Sequence, residues 1–224
     1  ADISALLIRA YRGEDAYPAA RSLEIACATS GEDVVAAWCR YVSGECLLDA
    51  DPGRARQLLE GAIESARRHG DRYLLGVAMA SRASIEARSG ATDAAARSYV
   101  EVLEHFRQAG NWTNQWVTLR SVIDVLVDLG RCEQAALILG AIRRAHEAAG
   151  SDPFGNDVER LGSVENRIQA ALGEAVTDDL VATGAAMAAS DVVDVAVTSL
   201  RAGRAPTGSG RQLVEAEEAE ILDG

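Results

Sequence analysis

Gly70, Gly90, Gly110, Gly130 and Gly150 stand at an even step of 20 residues. That interval holds one helix and its turn, and two such units make a helical hairpin. Glycine just past a helix end suits the left-handed cap conformation, so the five glycines read as helix stops. The chain is therefore expected to be a 40-residue repeat of helical hairpins.

The apolar positions keep the same register. Ala55, Ala95 and Ala135 correspond, as do Leu59, Tyr99 and Leu139, and then Ala62, Val102 and Ile142. Offsets of four and three put one apolar stripe on each second helix. The stripe must be buried on neighbouring helices, so the hairpins stack. Cations gather before the glycines: Arg67, Arg68 and His69, then Arg107, then Arg143, Arg144 and His146. They sit where the carbonyl end of a helix carries partial negative charge, which gives the histidines a structural reading. Asp51 reads as an N-cap with Pro52 at the first helical position.

Helices are predicted near 2–12, 17–30, 33–48, 54–69, 73–89, 92–109, 112–129 and 132–149. They group into hairpins at about 1–31, 32–70, 71–110 and 111–150. After 150 the repeat breaks: a loop at 151–155 precedes helices at 156–172, 177–189 and 190–200, the last capped by Ser190. This segment, 151–200, is the expected irregular cap of the array. Residues 201–224 read as a flexible linker followed by an acidic tail. The fold class is thus all-α, a solenoid of stacked helical hairpins, and the resemblance of its punctuation to tetratricopeptide repeats implies a right-handed superhelix.

Composition narrows the function. The 224 residues carry 34 acidic against 22 basic side chains, a net charge of −12, and the basic ones are all Arg. The abundance of Ala, Gly, Val and Asp with no Lys fits GC-rich codons. An acidic chain without a basic stripe argues against gripping nucleic acid. No apolar run is long enough for a membrane span and no leader pattern is visible, so a cytoplasmic protein is expected. The start at Ala1, directly in a helical pattern, reads as a segment of something longer. Cys27, Cys39, Cys46 and Cys132 have no metal-ligand spacing and read as reduced, part-buried residues. No nucleophile–base pair, carboxylate pair or metal constellation stands out. The chain reads as a non-enzyme without cofactor or metal.

A binding surface is the better candidate. In stacked hairpins the first helix of each pair lines the concave side. The repeat register places Arg40, Ser84, Arg88, Arg120, Asp124 and Asp128 there, as a groove for a peptide, a partner domain or a small ligand. They also admit a plainer reading as solvated residues, with Arg120 and Asp124 paired at i,i+4. Trp112 and Trp116 share one helix face beside Asn111, Asn114 and Gln115. They either present indoles and amides to a polar ligand or pack against the preceding helix.

The punctuation resembles tetratricopeptide repeats stretched from about 34 to 40 residues. Arg82 and Glu86 depart from it, standing where the motif takes Leu and an aromatic. A second resemblance runs through LEHFRQAGN at Leu103–Asn111, DLGRCEQAALILGAIRRAHEAAG at Asp128–Gly150 and ALGEAVTDDLVATGAAMAASDVVDVAV at Ala171–Val197. This stretch is similar to the C-terminal helical repeats of large actinobacterial signalling ATPases. That group holds LuxR-type transcriptional regulators of maltose-regulator-like architecture and adenylate-cyclase-linked relatives. The resemblance implies a sensor or protein-interaction domain whose partner is the parent's own nucleotide-binding module, another protein, or a small-molecule or peptide effector. The chain itself has neither a phosphate loop nor a helix-turn-helix. The alternative is a self-association scaffold, a homodimer without effector.

Overall fold

The computed structural model describes residues 2–149 and 156–204. Gly150, the loop at 151–155 and the tail from 205 lie outside the described residues. Eleven α-helices follow in order: α1 (Ile3–Tyr11), α2 (Tyr17–Ser30), α3 (Asp33–Leu47), α4 (Pro52–His69), α5 (Arg72–Arg88), α6 (Thr92–Gln108), α7 (Trp112–Asp128), α8 (Cys132–Ala149), α9 (Asn156–Leu172), α10 (Glu174–Ala185) and α11 (Ala189–Ala202). There is no strand among the described residues.

The glycine punctuation has a hydrogen-bonding cause. Gly70, Gly90, Gly110 and Gly130 all adopt positive φ, between 65° and 75°. The next residue's amide then bonds five residues back: Asp71 to the Ala66 carbonyl, Ala91 to Glu86, Asn111 to Phe106 and Arg131 to Leu126. This closes the last carbonyls of one helix and turns the chain straight into the next. The residue after the glycine is the next N-cap. Asp71 accepts from the Leu74 amide and Asn111 from the Asn114 amide, while Asp51 with Pro52 does the same for α4. Ala91 has no side chain to offer.

The cap difference gives a paired prediction. Asp71→Ala should cost about 1 to 2 kcal/mol, because it removes both the N-cap of α5 and the acceptor of the Trp38 Nε1–H, 2.9 Å away. Ala91→Asp should stabilise by about 1 kcal/mol by supplying the missing cap. Urea unfolding midpoints check both.

Packing follows the register. All nine corresponding stripe residues of α4, α6 and α8 are buried, from Ala55, Leu59 and Ala62 through to Ala135, Leu139 and Ile142. From α1 to α9 each helix packs on its neighbours in the chain. The odd-numbered helices α1, α3, α5, α7 and α9 also touch in succession. At the C-terminal end the chain doubles back: α10 lies against α8, and α11 crosses α6, α7 and α8. Ion pairs from Arg107 to Asp194 and from Arg201 to Glu104 hold α11 on α6.

Arg82 and Glu86, the residues that depart from the repeat motif, form a polar knot. The Ser98 hydroxyl donates to Glu86 Oε2 at 2.6 Å, and Arg56 and Arg82 lie 3.7 and 4.0 Å from Glu86 Oε1. A carboxylate thus replaces an apolar contact between α4, α5 and α6, with two guanidinium groups and a hydroxyl beside it.

Three boundaries depart from the sequence reading. α10 begins at Glu174, not 177, because Gly173 at φ 84° turns directly into it and Thr177 is a buried second-turn residue donating to the Gly173 carbonyl. Ser190 does not cap α11; the helix starts at Ala189 after an extended Ala188, and the Ser190 hydroxyl turns to Asp191. The 201–204 part of the expected linker is held. α11 runs to Ala202, Arg131 Nε donates to the Gly203 carbonyl at 3.0 Å, and Arg204 reaches the Asp128 carbonyl at 3.3 Å.

Candidate functional site

The touching odd-numbered helices frame two adjoining cavities of about 620 and 380 Å³ that share Ser84, Arg88, Tyr99 and Ser121. The 40-residue register that builds the core also builds their walls. On α5 and α7 the lining pairs are Val77 with Val117, Ser81 with Ser121, Ser84 with Asp124 and Arg88 with Asp128. The floor is the phenol of Tyr99, a stripe residue of α6 that is 1% exposed.

The larger cavity is ionic. Asp124 lies 3.2 Å from Arg160 and 3.8 Å from Arg167, both on α9. Arg167 also pairs with Asp128, and Arg88 with Asp49 of the α3–α4 turn. Burial pushes the Asp124 carboxyl up; Arg160 and Arg167 oppose the rise and Asp128 adds to it. Burial likewise pushes the Tyr99 phenol up to about 12, against the Ser121 hydroxyl and the nearby guanidinium groups. Tyr99 is therefore a hydrogen-bonding wall and not a base near neutral pH. This end carries guanidinium and carboxylate groups side by side, suited to a ligand with matched polar groups or to a zwitterion.

The smaller cavity has a different chemistry. Tyr11, Tyr41, Tyr73, Val77 and Val117 give it aromatic and aliphatic walls, with Glu45 among them. The Tyr11 and Tyr41 hydroxyls lie 2.7 Å apart in a hydrogen bond. Trp38 stacks on Tyr73 and meets Tyr41 edge-on, fixing both rings. Burial pushes the Glu45 carboxyl up to about 7, with the Ser81 hydroxyl and the Arg88 guanidinium opposing the rise.

Of the eight residues expected at the groove, Ser84, Arg88, Asp124 and Asp128 come together in the larger cavity. Arg40 does not. Its Nε donates at 2.7 Å to Glu24, a carboxylate 8% exposed on α2, which Arg21 also neutralises. Burying Glu24 demands counter-ions, and Arg40 is drawn to it. Arg120 is half-buried on α7 and lines neither cavity. Asp124 pairs with Arg160 and Arg167, both of α9. Trp116 is partly buried against the C-terminal core cluster, and Trp112 is half-exposed at the start of α7; neither lines a cavity.

The sequence reading missed Glu45, Ser121, Arg160 and Arg167 as lining residues. Arg160 and Arg167, seven residues apart on one face of α9, were the available signal. So was Glu45, an acid inside the apolar run of α3.

Two of the histidines lie against backbone carbonyls. His105 Nε2 lies 2.8 Å from the Arg72 carbonyl and His69 Nδ1 2.8 Å from that of Ser65. The four cysteines are free, and burial pushes the Cys39 thiol up to about 11. Among the described residues no group of three His, Cys, Asp or Glu is placed to hold a metal ion, and no helix is long and apolar enough to cross a membrane. No family model, curated protein or solved structure matches the chain.

Proposed function

We propose that this chain is the sensor domain of a multidomain bacterial transcriptional regulator. In this reading it is a tetratricopeptide-like solenoid, a right-handed superhelix closed by α9–α11. Its concave groove binds an effector or partner and biases an attached ATPase switch. The observation that carries the reading is the groove itself: the 40-residue register that predicted Ser84, Arg88, Asp124 and Asp128 on one face also aligns the facing walls of α5 and α7 along the cavities. The resemblance of about residues 95–200 to repeats in signalling ATPases suggests the attached switch. Occupancy acts on that switch only if the ligand binds its resting and active states with different affinity.

The test fills the groove without touching the core. Ser84→Trp with Ser121→Trp in the parent regulator should change the effector response of its ATPase by about 5- to 150-fold, the usual range of coupling between sites. Unchanged ATPase activity and DNA binding in that variant, and in a parent lacking residues 33–150, would sink the reading.

A second reading, self-association without an effector, has one observation in its favour. Ile8 and Ile25 are 51% and 62% exposed on the first two helices. Sedimentation velocity separates it: a concentration-independent monomer removes this alternative.

A further inference from the structure

The smaller cavity joins three features that the groove reading leaves unused. First, Glu45 brings a carboxylate into a largely uncharged wall, and its Oε1 is closed off from solvent with no hydrogen-bond partner. The Ser81 hydroxyl serves the carboxylate but leaves this oxygen unpartnered, and a buried carboxylate oxygen without a donor is costly. Second, Arg88 lines the same cavity and offsets the Glu45 charge only in part, its guanidinium being paired with Asp49. Third, the rim is apolar. Tyr11, Tyr73 and Val117 are 61%, 52% and 49% exposed, and these exposed large side chains border one opening.

We propose that this cavity binds a small organic ammonium with an apolar body. The ammonium sits against the Glu45 carboxylate and the Tyr faces, and the apolar part lies along Tyr73 and Val117. This deepens the groove reading and rests on it.

Each part of the ligand answers a feature of the wall. An ammonium supplies a donor for the unpartnered Oε1 together with further counter-charge, and the aromatic faces of Tyr41 and Tyr73 favour a cation over a neutral group. The exposed rim favours an apolar body over a bare ammonium ion. A cavity of about 380 Å³ is at the small end of the ligand-site range, which suits a molecule the size of an aryl-ethyl ammonium. A metal ion is disfavoured as occupant because no group of three potential ligands is found among the described residues.

The experiment titrates the whole chain with phenethylammonium, phenethyl alcohol and 3-phenylpropionate by calorimetry at pH 8. These probes share the apolar body and differ in charge. Phenethylammonium should bind saturably and at least tenfold more tightly than the other two. Glu45→Gln should lose that preference, and Val117→Arg, a surface substitution that sets a fixed cation at the rim, should weaken ammonium binding at least tenfold. Circular dichroism confirms that both variants remain folded. Equal affinity for ammonium and alcohol, or undiminished ammonium binding by Glu45→Gln, overturns the proposal, as does absence of binding by all three probes. The groove reading is judged separately by the Ser84 and Ser121 variants in the parent, so it stands or falls on different data. Tight binding of 3-phenylpropionate that Arg88→Gln abolishes would overturn the cation proposal while leaving the groove a ligand site.

Discussion

Gly184→Leu should detach α10 from α8 and cost about 3 kcal/mol or more, the upper end of what overpacking does. A Cβ on Gly184 would stand 1.9 Å from the Leu137 carbonyl oxygen, and one on Gly140 would stand 2.0 Å from that of Val181. Both obstacles are backbone, so no side-chain rotation relieves them. The two helices cross with glycine on each face, and the crossing is possible only because both lack a side chain. Gly140→Leu should therefore be about as damaging, and the double variant should cost less than twice either, since the first change already parts the helices. Gly162→Ala on α9 is the control. Nothing lies within 4 Å of its Cβ position, and α-helical propensity predicts a gain of about 0.5 to 1 kcal/mol. Urea unfolding followed by circular dichroism reads all four. A loss below about 1 kcal/mol for Gly184→Leu would mean that the α8–α10 crossing is not formed as described.

Gly140 and Gly184 also mark where reading the sequence ran out. Periodic signals were legible because each is local. A glycine after a helix, an Asx at the next N-cap and an apolar residue every three or four positions need only near neighbours to act, and they located all eleven helices. The nine stripe residues were legible for the same reason. A glycine inside a helix gives no such signal. Whether Gly162 faces open space or Gly184 faces another backbone depends on a helix brought across from elsewhere in the chain.

The candidate site divides the same way. Ser84, Arg88, Asp124 and Asp128 were reachable because α5 and α7 repeat at 40 residues. Arg160 and Arg167 come from α9, beyond the point where the repeat breaks; their seven-residue spacing shows a shared helix face but not that it meets Asp124 and Asp128. Arg40 was misplaced because a register says which face a residue occupies but not which buried charge pulls on it. Glu24 decided that.

Glu45→Gln should change stability in a pH-dependent way, and the sign is fixed by the direction of its shift. The folded carboxyl is raised from an ordinary 4.5 to about 7 by burial. A raised carboxyl holds its proton more tightly in the folded chain, so its favourable contribution is complete below about pH 4.5 and is lost as pH rises through 7. Burial pushes the Tyr11 and Tyr41 phenols upward, away from this window, which leaves the Glu45 carboxyl as the group of this cavity shifted into it. At pH 4 the comparison of wild type with Glu45→Gln sets acid against amide and reports only the amide's own fit. At pH 8 it also contains the cost of the charge. The gap between the two comparisons should approach 3 kcal/mol in favour of the variant, since one pKa unit is about 1.4 kcal/mol. Urea midpoints at pH 4, 6 and 8 measure it, and a gap that is flat with pH would mean the carboxylate is hydrated. The proposed ammonium site gives this costly carboxylate a role that an amide could not fill. An ammonium in the cavity would remove the same penalty, so the substitution that most stabilises the empty chain should be the one that most weakens the occupied one.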